Sequence, residues 1–232
     1  MKLRFWGFLL FALTAMPLMA QDDDDEEYTK EIGVGVGGNF MLSDCNTKWY
    51  NQMGVTADAL FRFVISPRMA VKLMAGYNTV KASTTKVNDF YPTSTTGGAT
   101  TERLNYEAKG GFVDLCGMYE LHFLPYGWFR TYLGHYRITP YIQLGLGLTY
   151  STVGKAFTVN LPIGVGLKWK IARRLNLGLD WTFHFTPSDK LDGLEAPQGI
   201  KSTMFRNKDH YQQTMLTLTY DISPKCPTCN RN

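Results

Sequence analysis

Hydrophobic and polar positions alternate along most of this chain with a period of two. The clearest case is Tyr141–Tyr150, YIQLGLGLTY, where Leu144, Leu146 and Leu148 alternate with Gln143, Gly145, Gly147 and Thr149. A two-residue period is that of a β-strand, whose successive side chains point to opposite faces. One face carries large aliphatic and aromatic side chains; the other carries glycine, threonine and scattered charge. That pattern predicts a transmembrane β-barrel, apolar toward lipid and polar inside.

Eight such segments are predicted: Glu31–Leu42, Gly54–Ile65, Met69–Thr79, Leu104–Phe123, Tyr141–Ser151, Phe157–Lys170, Leu175–Phe185 and Tyr211–Ile222. In the fourth, the apolar phase moves from Leu104, Tyr106 and Ala108 to Val113, Leu115 and Tyr119 across Gly110-Gly111, which suggests a bulge. An even count suits an antiparallel barrel, and closure leaves no open strand edge in lipid. The expected fold is therefore all-β, an eight-stranded antiparallel up-and-down transmembrane barrel over residues 31–222.

The connectors set an orientation. Ser66-Pro67-Arg68 and Ile171–Arg174 are tight turns, whereas Val80–Arg103 and Thr186–His210 are long. Barrels of this kind have short periplasmic turns and longer outer loops, so both termini are expected in the periplasm. Leu124–Ile138 is long yet falls on the periplasmic side. Its Tyr126, Trp128 and Phe129, beside Arg130, suit either a membrane interface or a docking face for a periplasmic partner.

The N-terminus carries Lys2 and Arg4 before an apolar run, then Pro17-Leu18-Met19-Ala20, and is expected to be a signal peptide over residues 1–20. An acidic segment, 21–30, follows, in which Asp22, Asp23, Asp24 and Asp25 are either solvated or dock a basic surface on a partner. The formal charge of the 232-residue chain is only +4, which gives no reason to expect nucleic acid. An aromatic content of 14% and 22 glycines fit aromatic girdles and a crowded interior.

Charge on the polar face falls at Asp58, Arg62, Lys72, Asp114, Glu120, His122, Lys168, Asp180 and His184. The inside of an eight-stranded barrel is just wide enough for side chains to fill, so these are expected to neutralise one another as a packed network. A Ser–His–carboxylate set would need Asp180, His184 and Ser188 to meet, but along one strand each step of four residues covers about 13 Å. No enzymatic motif, metal site or cofactor is expected, and a narrow channel remains the alternative to a filled barrel.

Four cysteines are present, and Cys226 and Cys229 form CPTC in a tail, 223–232, beyond the last strand. In an oxidising space they close a local disulfide or bond a neighbouring protein.

EIGVGVGGNFMLSD, SPRMAVKL, LHFLPYG, TPYIQLGLGLTY, KAFTVNLPIGVGLKWK, LNLGLDWTFHFT and SDKLDG, in this order and followed by a cysteine-bearing C-terminus, resemble the PorG-like outer-membrane barrels of Bacteroidota. The DDDDEE run and Pro162 depart from that pattern, the latter expected as a strand interruption or edge feature. The resemblance implies a component of the type IX secretion apparatus, embedded in outer-membrane lipid and touching a PorK-like lipoprotein and a PorN-like ring. A barrel paralogue or small solute transporter unconnected with secretion is the alternative.

Overall fold

The computed structural model describes residues 27–43, 46, 49–83, 107–128, 135–193 and 208–225. The expected leader, Asp22–Asp25, Cys45, Phe129, Arg130, Cys226 and Cys229 lie outside the described residues.

The alternating segments form β1 (Tyr28–Leu42), β2 (Gly54–Ser66), β3 (Met69–Ser83), β4 (Glu107–His122), β5 (Ile138–Ser151), β6 (Ala156–Lys170), β7 (Leu175–Phe185) and β8 (His210–Pro224). Each pairs antiparallel with its neighbour in sequence, and β8 returns to β1, closing the barrel. The closing seam runs from Tyr28↔Pro224 to Leu42↔His210. Several strands extend past their predicted ends, because the ladder continues where the apolar alternation has already faded.

The wall is inverted relative to a water-soluble protein. Ile32, Val34, Val36, Leu115, Leu146, Val165 and Leu179 stand exposed on the outside, Leu146 at 73%. Lys72, Asp180, Arg62 and Glu120 are almost wholly shielded inside. Such an apolar outer belt around a polar interior has lipid as its stable surroundings.

Two sequence expectations change here. The predicted bulge at Gly110-Gly111 is absent: β3 and β4 stay in register through Thr79↔Gly111, Val80↔Gly110 and Lys81↔Lys109. The apparent phase shift arises because Ala108 and Phe112 point inward, where they pack with Met41, Val80, Leu191 and Tyr211 in an apolar cap inside the barrel. Pro162 sits inside β6 and pairs with His184 on β7, so the strand continues. On its other side the β5–β6 ladder skips from Leu144↔Ile163 to Gly147↔Asn160 without changing register, as expected where a residue lacks its N–H.

Beyond β1 the chain folds down over the outer wall. Tyr50 and Gln52 both take positive φ, 57° each. This places Trp49 against Phe183 at 5.6 Å and Tyr50 against Phe40 at 4.9 Å. Trp181 Nε1 donates to Tyr50 Oη at 3.1 Å. These rings clasp β1 to β7 across the seam strand β8.

Val34→Arg on the outer wall should weaken insertion into lipid by about 2–4 kcal/mol, whereas Val34→Leu should be nearly neutral. Urea titration of folding into phospholipid vesicles, followed by the shift in gel mobility on heating, measures both.

Candidate functional site: a charge-filled barrel and its plugged mouth

The interior is built from alternate residues of every strand. Its centre is a continuous chain of ion pairs. Arg62 on β2 donates from Nη1 to Glu31 Oε2 at 2.5 Å. It also donates from Nε and Nη2 to the two oxygens of Glu120, at 2.7 and 3.0 Å. Lys72 joins Glu120 at 3.1 Å to Asp180 at 3.2 Å. Lys168 donates to Glu31, and Tyr141 Oη to the second oxygen of Asp180. Beside this chain, Lys170 meets Asp221 at 2.5 Å and Asn176 Nδ2 donates to the other Asp221 oxygen at 2.6 Å.

Arg62 is the hub because its planar fork holds both oxygens of Glu120 while still reaching Glu31, a two-pronged grip that a lysine cannot supply. Gly166 makes a second link possible. It lies between Tyr141 and Asp180 in the ladder, and a Cβ there would stand 2.3 Å from the Tyr141 ring. Only a residue without a side chain lets the Tyr141 ring lie across β6 to reach Asp180.

Toward the end opposite the termini, the polar interior changes character. Asp114 accepts from Asn78 Nδ2 at 2.8 Å and from Tyr211 Oη at 2.9 Å. Asp58 accepts from Thr56 Oγ1 at 3.3 Å. His184 meets Gln213 Oε1 at 3.0 Å through Nε2 and stacks on Tyr211 at 4.3 Å. Met74, Cys116, Met118 and Met215 pack together, with Cys116 a free, buried thiol.

Of the predicted interior charges, Arg62, Lys72, Glu120, Lys168 and Asp180 are thus brought into one chain. Asp58, Asp114 and His184 are instead held by neutral polar groups. Glu31, Lys170 and Asp221, which complete the network, were not singled out in the sequence. Glu31 stood at the very start of a predicted strand beside the acidic run, but its inward parity with Gly33 and Gly35 was the available signal. Asp180, His184 and Ser188 do not converge: Asp180 is held by Lys72 and Tyr141, His184 by Gln213, and Ser188 Oγ accepts from the Lys190 backbone N–H at 3.3 Å.

The connector after β4 closes the barrel end that carries both termini. Tyr126 N–H donates to Pro67 O at 2.8 Å, and Tyr136 N–H to Pro125 O at 2.7 Å, folding the connector back across the mouth. Tyr126, expected on a docking face, turns into the barrel. Its hydroxyl donates to Asn176 Oδ1 at 2.6 Å, and Lys168 Nζ lies 4.4 Å from its ring centroid. Burial, then the Glu31 and Asp221 charges, push its phenol far above the usual range, so it stays a neutral donor. Trp128 lies at the surface of the same connector, with the Arg137 guanidinium 3.9 Å from its ring centroid.

At the other end, Asp209 pins the segment after β7. Its carboxylate accepts from Leu191 N–H at 2.8 Å and Asp192 N–H at 3.4 Å, and its own N–H donates to Ser188 O at 2.9 Å. Burial, then the neighbouring Asp192 charge, raise its carboxyl well above the usual range.

A family model described as "Domain of unknown function (DUF6089)" matches residues 9–231. No curated protein matches the sequence. Among solved structures, Neisserial surface protein A is similar with TM-score 0.48 and 8% identity, over 83% of this chain and 97% of that one. Ail, the attachment invasion locus protein of Yersinia pestis, gives TM-score 0.45 and 12% identity, over 84% and 99%. The N-terminal β-barrel domain of Pseudomonas aeruginosa OprF gives 0.43 and 11%, over 85% and 100%.

Two outcomes are expected from this geometry. Arg62→Met leaves three shielded acids, Glu31, Glu120 and Asp180, to only Lys168 and Lys72, and should cost about 3–5 kcal/mol in guanidinium unfolding, with Arg62→Lys falling between it and the unsubstituted protein. The raised Asp209 carboxyl stabilises the folded loop most below the unfolded-chain value of about 3.9, and that stability is lost as pH rises through the folded value. Proteolysis within Thr186–Asp209 should therefore quicken as pH rises from 5 to 8, and Asp209→Asn should flatten the dependence. By these observations the chain belongs to the DUF6089 family and is a closed eight-stranded barrel with a charge-filled interior.

Proposed function

We propose that this protein is a non-conducting outer-membrane anchor of a secretion apparatus. The barrel sits in the outer membrane, with both termini and the plugged mouth toward the periplasm, where they hold a ring or lipoprotein subunit to the membrane. The resemblance to PorG-like barrels supports type IX as that apparatus and PorK- and PorN-like subunits as its partners.

The observation that carries this reading is the filled interior. A transporter needs a path, and here Arg62, Lys72, Lys168 and their carboxylates bridge the lumen while Tyr126 covers its mouth. Opening such a path would separate several shielded ion pairs at once, each separation leaving uncompensated charge. What a sealed, rigid barrel offers instead is a fixed platform. The longest connector at the termini end, with Trp128 and Arg137 at its surface, supplies a face suited to protein contact, since tryptophan and arginine dominate interface energetics.

Crosslinked membranes from the native host should yield a periplasmic ring or lipoprotein with the tagged barrel, and planar-bilayer recordings should show no stable conductance. A steady, solute-selective current would overturn the reading in favour of a small transporter. A tag within Thr93–Ala99 should be reachable on intact cells and one after Asn232 should not; the reverse would invert the orientation.

A further inference from the structure

The charges inside the lumen do not balance. Among the described residues, the strands send in four cations, Arg62, Lys72, Lys168 and Lys170, and six acids. Four of those acids, Glu31, Glu120, Asp180 and Asp221, are taken up by the four cations. Asp58 and Asp114 are left over, 5% and 1% exposed, and neither takes part in an ion pair among the described residues. The strand histidines do not supply the missing charge: His122 lies 3.6 Å from Glu120, and His184 meets Gln213.

The strand register brings the two leftover acids together. Asp58 on β2 and Asp114 on β4 both sit opposite Gly76, on the strand between them. A Cβ at Gly76 would collide with Asp58 Oδ1 and stand 2.5 Å from its Cγ, so the Asp58 carboxylate lies over the glycine. Asp114 leans the same way, onto β3, where Asn78 Nδ2 donates to its Oδ2 at 2.8 Å. Backbones two strands apart are about 10 Å from each other, and the two carboxylates reach into that gap from both sides. They are not equally provided for. Asp114 takes donors from Asn78, Gln213 and Tyr211. Asp58 takes the Thr56 hydroxyl at 3.3 Å through Oδ1, and its buried Oδ2 has no hydrogen-bond partner among the described residues.

We propose that the space over Gly76 is a binding site for one monovalent metal cation, sodium, held between Asp58 Oδ2 and the Asp114 carboxylate. A shielded carboxylate with a bare oxygen is costly unless a positive charge meets it. Three donors already stabilise the charge on Asp114, so the deficit left to a ligand is nearer one charge than two. The surroundings select the class as well. Calcium takes about six to eight oxygens, and magnesium demands a near-ideal octahedron. Here the residues beside Asp58 on both neighbouring strands are Gly35 and Gly76, which offer no side-chain oxygen. The ion does for Asp58 what Lys72 does for Asp180, and in a closed barrel it is captured as the wall forms. This inference does not rest on the secretory role.

The test folds the full mature chain from urea into neutral phospholipid vesicles at constant ionic strength, with sodium chloride exchanged for choline chloride, whose cation is too large for the site. Raising sodium from about 1 to about 100 mM should lower the unfolded-to-folded ratio at least about tenfold, as for a single-site ligand in excess of its dissociation constant. Asp58→Asn should remove that response, and Asp209→Asn, at an acid of the β7–β8 segment, should keep it. Equilibrium dialysis of the detergent-solubilised barrel against radiolabelled sodium should retain about one ion per chain. Equal stability in sodium and choline, a sodium response that survives Asp58→Asn, or no retained ion overturns the proposal. The first and last of these are read on the unsubstituted protein and decide even where Asp58→Asn does not fold. A carboxylic-acid stretch in the infrared spectrum at neutral pH that vanishes in Asp58→Asn would make the occupant a proton shared by the two acids, and overturns it too. So does stabilisation by calcium but not by sodium, which would assign the site to a divalent ion.

Discussion

Each charge inside this barrel depends on a partner because no bulk water is at hand to replace one. The sequence Lys168–Glu31–Arg62–Glu120–Lys72–Asp180 runs through the lumen as alternating signs, contributed by six different strands. A charge-for-charge chain of this kind does for the inside of the wall what apolar packing does for a soluble core. It differs in one respect: apolar contacts weaken gradually as groups are trimmed, whereas removing one member here leaves its neighbours charged and shielded. The interior is therefore specified by connectivity rather than by volume alone. That also explains why a glycine at position 166 matters, since it makes the space for Tyr141 to terminate the chain on Asp180.

The barrel's two ends solve different problems with different chemistry. The end with the termini is closed by charge and by Tyr126, whose ring rests beside Lys168 while its hydroxyl takes Asn176. The other end is closed by apolar contact among Met41, Val80, Ala108, Phe112, Leu191 and Tyr211. Between the two lie neutral amides, hydroxyls and methionines around Asp58 and Asp114.

The strands were legible because lipid enforces the alternation: outward positions such as Ile32, Val34 and Val36 have no choice but to be apolar. Parity then named most inward charges correctly. It did not say which of them meet, because contacts across the lumen, such as Arg62 with Glu120 or Lys168 with Glu31, depend on strand tilt and stagger that no local pattern encodes. The apolar, inward Ala108 gave the impression of a phase shift because a barrel interior admits apolar residues wherever they have each other to pack against, as Ala108 has Phe112. Tyr126 was hidden for a third reason. Connectors have no period, so nothing in LPYGW distinguishes a ring that turns into the mouth from one that faces the membrane surface.

The seam between β1 and β8 joins the first described strand to the last, with Glu27 and Lys225 continuing the pairing beyond the barrel's edge. Contacts so distant in sequence put the entropic cost of closure at the end of assembly. Until the final strand is delivered, β1 presents a full row of unpaired amides and carbonyls, and Glu31 sits on an open edge next to Lys168 and Arg62. No growing chain can complete this molecule in stages from its N-terminus. An unclosed sheet has two open edges, one on each side of the missing seam, and closure of that one ladder removes both together.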